Sequence, residues 1–184
     1  RYSGQVIKKK DTGLSIKVDS YVFETNVHFP TDLNLAWDCA RKCIELSARL
    51  CKSYDLSGWR KHANWRSRIK GLARGSARAC RSGGKGRAAR VETSVKAYLE
   101  RLYALEEKVL ESLEQLSALP MYPMLEVSLS ELRGYHDLMI HHIFLISDRL
   151  LDGRKIAPSE KLYSIFEQHT EWIQKGKAHR RVEL

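Results

Sequence analysis

No run of apolar residues approaches the roughly 20 that a membrane-spanning helix needs, so a transmembrane role is excluded on pattern. The 43% hydrophobic and 29% charged residues are the usage of a water-exposed globular fold. No charged start followed by an apolar stretch marks a secretory signal, and an intracellular setting is expected. The beginning at Arg1 and the end within Arg181-Val182-Glu183-Leu184 read as cuts in a longer protein. The four cysteines, at 39, 43, 51 and 80, lack the paired C-x-x-C spacing of zinc sites. A chain of 184 residues can also bury one core without disulfides, so these are expected to be reduced core thiols. His136, His141 and His142 have no H-E-x-x-H carboxylate and read as packing or surface histidines. Gly83-Gly84-Lys85-Gly86 lacks the full G-x-x-x-x-G-K-[ST] spacing and a preceding apolar strand, which excludes a nucleotide cradle there.

The most informative absence is of acid. Residues 56–91 contain no Asp or Glu, while Arg60, Lys61, Arg66, Arg68, Lys70, Arg74, Arg78, Arg81, Lys85, Arg87 and Arg90 all fall within them. The net charge of +10 therefore comes almost entirely from this stretch. Without carboxylates to neutralise them, these cations repel one another, and a polyanion would relieve that repulsion while releasing its counterions. Nucleic acid is the natural partner. A solvated charged face is the plainer alternative, though such faces usually carry acids as well. Trp59 and Trp65 lie among Arg60, Lys61 and Arg66, so each indole either offers a stacking face to a base or packs into a helical core. Gly71, Gly75, Gly83, Gly84 and Gly86 weaken helix propensity and suggest that the later half of the segment is a mobile loop or hairpin.

Along the chain, Leu14, Ile16 and Val18 alternate with polar residues and continue through Tyr21, Val22 and Phe23, the period-two pattern of a strand. Pro30 ends that run, and Thr31 or Asp32 can cap a helix over about 33–53, where Leu35, Cys39, Cys43, Leu46 and Leu50 recur every three or four residues. A second stripe, Val91, Val95, Tyr98, Leu102, Leu105, Val109, Leu113 and Leu116, predicts a long helix that would also suit a coiled-coil dimerisation arm. Ser128 and Glu131 form a capping-box pattern for a third helix running through Leu132, Tyr135, Met139, His142, Ile143, Ile146 and Leu150 to Asp152-Gly153. Lys161–Phe166 and Thr170–Ile173 return to extended character. The organisation expected is a first strand region over 1–32, a helical insertion over 33–152 carrying the basic segment 56–91, and a return to β structure over 153–184.

The stretch Val18-Asp19-Ser20-Tyr21-Val22-Phe23-Glu24-Thr25-Asn26-Val27-His28-Phe29-Pro30-Thr31-Asp32 resembles the first catalytic-strand block of bacterial insertion-sequence DDE transposases. Ser164-Ile165-Phe166-Glu167-Gln168-His169-Thr170-Glu171-Trp172-Ile173-Gln174-Lys175-Gly176-Lys177 is similar to the same family, in which a K-G-K segment precedes a later strand. The resemblance implies an α+β, predominantly helical fold: a partial RNase H-like β core with a helical insertion after its first strand. It implies Asp19 as a catalytic residue and metal ligand, with Mg²⁺ or Mn²⁺ in the complete enzyme, where two Asp and one Glu hold two ions for DNA cleavage and strand transfer. The family's second Asp and its Glu follow the K-G-K segment and would lie beyond Leu184. The partners implied are transposon-end and target DNA in the bacterial cytoplasm, by a protein that acts as a homo-oligomer. The DNA-contacting set expected is Trp59, Arg60, Lys61, Trp65, Arg66, Arg68, Lys70, Arg74 and Arg78, with Lys175 and Lys177 near the phosphates. A non-catalytic helical module that binds nucleic acid is the alternative.

Overall fold

The computed structural model describes residues 31–120 and 122–166, all within the compact unit Val27–Trp172. Their order is α1 (Asp32–Ser53), α2 (His62–Arg81), α3 (Arg87–Ser117) and α4 (Pro123–Leu150), followed by a single 3-10 turn at Pro158–Glu160. Helix α1 begins where its cap allows: Thr31 is extended, and its Oγ1 accepts the backbone N–H of Asn34 at 3.2 Å. Asp32 at the first helical position pairs with Arg149 of α4 at 2.7 Å, which ties the start of the first helix to the end of the fourth. The expected α1 stripe is buried throughout, from Leu35 to Leu50.

Helix α1 packs on α2, α3 and α4, and α3 packs on α2 and α4, whereas α2 and α4 do not meet. With short connections, this is an up-and-down four-helix bundle in which α1 and α3 form the short diagonal. The start of α1, the α2–α3 turn and the end of α4 share one end of the bundle, as their joint lining of two grooves shows. The centre is filled by Ile44, Ile69, Leu102, Leu105, Leu116, Leu132, Met139 and Ile146, with Tyr98 wholly buried and its hydroxyl donating to the Leu33 carbonyl at 3.1 Å. Cys39, Cys43 and Cys51 are buried free thiols, and burial pushes Cys43 up to about 12 and Cys39 further still, so both stay protonated and unreactive.

Several expectations are corrected. The described residues hold four α-helices and no strand, so the α+β fold with a partial RNase H-like core gives way to an all-helical one. The helices expected as an insertion make up the fold of the described residues, and the segments 1–30 and 167–184 lie outside them. The strand read over residues 14–23 lies outside the described residues, as do Thr170–Ile173. Lys161–Phe166 is described, and it is irregular rather than extended. Its apolar residues serve another purpose: Ile165 joins the helical core and Phe166 sets its ring edge-on to Tyr135 of α4 at 6.5 Å.

Helix α4 starts five residues before the Ser128 capping-box pattern, because Pro123 suits a first helical turn and Leu125 and Leu129 already point into the core. The α3 stripe that would suit a coiled-coil arm is spent inside the bundle, with Val95, Leu102, Leu105, Val109 and Leu116 fully covered.

Candidate nucleic-acid interface

Most of the basic stretch is helix rather than loop, with α2 over His62–Arg81 and α3 beginning at Arg87. Ile69, Ala73 and Ser76 are buried at spacings of four and three, with Trp65, Leu72, Ala77 and Cys80 half-buried beside them. That apolar stripe outweighs two interior glycines, each of which costs about 1 kcal/mol relative to alanine. Ser76 satisfies its buried hydroxyl by donating to the Ser94 carbonyl of α3 at 3.0 Å. In the later half of the stretch the turn is confined to residues 82–86. Gly84 and Gly86 adopt left-handed backbone there, at φ 84° and 75°, which side-chain-bearing residues rarely tolerate.

All eleven cations are exposed. Arg66 alone meets an acid, Glu45 of α1, at 3.3 Å. Arg87 donates to the carbonyl of Cys80 at 2.9 Å, and Arg90 to those of Lys85 and Gly83 at 2.8 and 2.7 Å, so these two hold the turn closed. The other eight make no hydrogen bond or ion pair among the described residues. Arg66, Lys70, Arg74, Arg78 and Arg81 follow one another at spacings of 4, 4, 4 and 3, which places them on a single ridge of α2. At 1.5 Å per residue the ridge is about 22 Å long, close to six base-pair steps of a duplex at 3.4 Å each. Helix α2 packs on α1 and α3 but not on α4, and the ridge's last three members, Arg74, Arg78 and Arg81, line a groove with Arg149 at the end of α4.

The two indoles go to different places. Trp59 is 5% exposed and its Nε1–H donates to Ser112 Oγ at 2.7 Å, while Lys108 Nζ lies 5.1 Å from the ring centroid. Its role is core packing, and it leaves the expected contact set. Trp65 is half-buried with the Arg101 guanidinium stacked over its ring at 3.6 Å. Burial, and then the nearby Arg68, pull Arg101 below the usual guanidinium range. Arg68 and Arg101 have no acid partner among the described residues, so α3 contributes a cation beside the basic helix.

Sequence reasoning missed Arg101 and Arg149. Arg149 joins Thr31, Asn34, Arg74, Arg78 and Arg81 around a groove of about 570 Å³ at the end of the bundle. Each stands apart from the acid-free stretch, on a helix that also carries acids, and only tertiary packing brings it to the basic surface. Asp19, Lys175 and Lys177 lie outside the described residues. Among the described residues no three His, Cys, Asp or Glu side chains gather as a metal site. Nor, among those residues, is any helix long and apolar enough to cross a membrane. No protein-family model, curated protein or solved structure matches the chain.

Proposed function

We propose that this chain binds DNA, with the open face of α2 and the α2–α3 turn as its phosphate-contacting surface. The observation that carries the reading is the set of eight exposed cations without partners, in a segment free of acid from residue 56 to residue 91. Neighbouring carboxylates would normally quench such a surface, and here it is left to a polyanion. The ridge positions a backbone without reading base edges, so binding is sequence-tolerant.

The test is fluorescence anisotropy with a labelled duplex across a salt series. If about six of the eight engage phosphates, log Kd changes with log salt at a slope of magnitude about 5. A slope near zero overturns the reading.

DNA transposition is the narrower reading. It rests on the blocks at 18–32 and 164–177, which lie largely outside the described residues, and on none of the helices. In a protein enclosing this chain, Asp19→Asn is expected to abolish cleavage of a labelled DNA end while leaving affinity within about twofold. Unchanged cleavage removes Asp19 from the chemistry, and the chain is then a non-catalytic DNA-binding module.

A further inference from the structure

Between α2 and α3 runs a shallow groove of about 550 Å³, lined by Gly75 and Ala79 on one side and Ala89 and Thr93 on the other, with Arg78 and Arg90 at its rim. Its floor is built from small side chains, so an incoming molecule can approach the helix backbones closely. Arg78 has no partner among the described residues, and Arg90 is held in place by two carbonyls of the turn. The groove thus presents one free cation, one fixed cation and the exposed Thr93 hydroxyl around a narrow, open channel.

Gly75 has no structural need to be glycine: its φ is not positive, and a Cβ there would meet nothing within 4 Å. The helix nevertheless carries a residue that weakens it by about 1 kcal/mol. Gly134 of α4 has equally open surroundings, but it lies on the helix that α2 does not touch and lines none of these grooves.

We propose that this groove seats one strand of a DNA duplex, its sugar-phosphate backbone lying against Gly75 and Thr93 with phosphates at Arg78 and Arg90. The proposal rests on the reading of α2 as a DNA-binding surface and adds where the strand lies. A channel floored by Gly and Ala fits a backbone, and the rim cations match the phosphate charge. The strand then runs along the α3-facing flank of α2, with Arg78 shared between groove and ridge and Arg74 and Arg81 reaching the duplex from the other flank.

Gly75→Met in the whole chain tests this, with Gly134→Met as control, against a labelled duplex and a single strand of equal length. Both substitutions are expected to hold or raise the melting temperature, because each adds helix propensity in open space. Gly75→Met should weaken duplex binding about tenfold with an unchanged salt slope, since no charge is lost. Gly134→Met should leave affinity within about twofold. Duplex affinity unaffected by Gly75→Met overturns the seat while leaving the charge-based reading of α2 intact, because the salt slope reports that separately. Equal losses from both variants overturn it as well, and a loss confined to the single strand overturns the duplex assignment.

Discussion

Replacing Lys70, Arg74, Arg78 and Arg81 together by Gln is expected to lower affinity for duplex DNA roughly thousandfold near 0.1 M salt, with the salt slope shallower by about 3.6 at about 0.9 per phosphate contact. These four are exposed, lie on one ridge and have no partner among the described residues, so removing their charge breaks no internal ion pair. Gln is close to Lys and Arg in helix propensity, and helix content should hold. The last-turn charges of Arg78 and Arg81 complement the α2 dipole, and their loss costs on the order of 0.3–1 kcal/mol each, offset by relief of repulsion along the ridge. The loss should be alike for unrelated sequences, because phosphate contacts position without specifying. Titrations by anisotropy at four or more salt concentrations measure both quantities. Full affinity with an unchanged slope would mean that the ridge is only a solvated face.

Acid should weaken the fold through His142. This residue is wholly buried on α4, and neither ring nitrogen has a hydrogen-bond partner among the described residues. Burial first, and the neighbouring His141 second, lower its pKa from 6.5 to about 3. The ring is therefore neutral in the folded chain and protonates once the chain unfolds. A folded pKa below the unfolded one means that the unfolded state binds more protons in between. Stability is thus intact above about pH 6.5 and falls as the pH drops toward 3, losing about 2 kcal/mol by pH 5 at 1.36 kcal/mol per pKa unit. His142→Leu keeps an apolar group of similar size and removes two unsatisfied nitrogens, so it should be neutral or stabilising at pH 7. Its advantage over the parent should widen by about 2 kcal/mol between pH 7 and pH 5 in urea melts. Parallel pH curves for the two proteins would show that His142 is hydrated or partnered in solution.

Much of the helical body was legible because period and caps agreed. The stripe from Leu35 to Leu50 and the extended Thr31 before it placed α1, and the stripe ending at Leu116 placed α3. Local rules failed where a distant contact decided the outcome. Gly71 and Gly75 argued against helix in the basic segment, yet Ile69, Ala73 and Ser76 bury against partners such as Ser94 of α3, and packing outweighed propensity. The fate of Trp59 depended on Ser112, 53 positions away, which no window around the indole contains. Ile165 and Phe166 suit a strand by residue type, being β-branched and aromatic, but Ile165 joins the helical core and Phe166 packs on Tyr135 of α4. For the basic surface the absence of acid is legible in the sequence, whereas the alignment of Arg66, Lys70, Arg74 and Arg78 on one ridge follows only once α2 is known to be helix. The convergence of Arg101 and Arg149 on it required the bundle.

The turn after α2 is clasped by its own chain: Arg87 holds the carbonyl of Cys80, and Arg90 holds those of Gly83 and Lys85. These bonds exist before any DNA arrives, and α2 is anchored along its buried stripe. If the proposed complex forms, α2 and its turn need no coil-to-helix ordering, and their share of the heat-capacity change comes from the surface covered. A single regular helix of 20 residues offers its charges along one line and would not wrap around a duplex. Any bending at such a contact would be borne by the duplex, which would add a mild preference for easily deformed sequences to phosphate contacts that read no base edge.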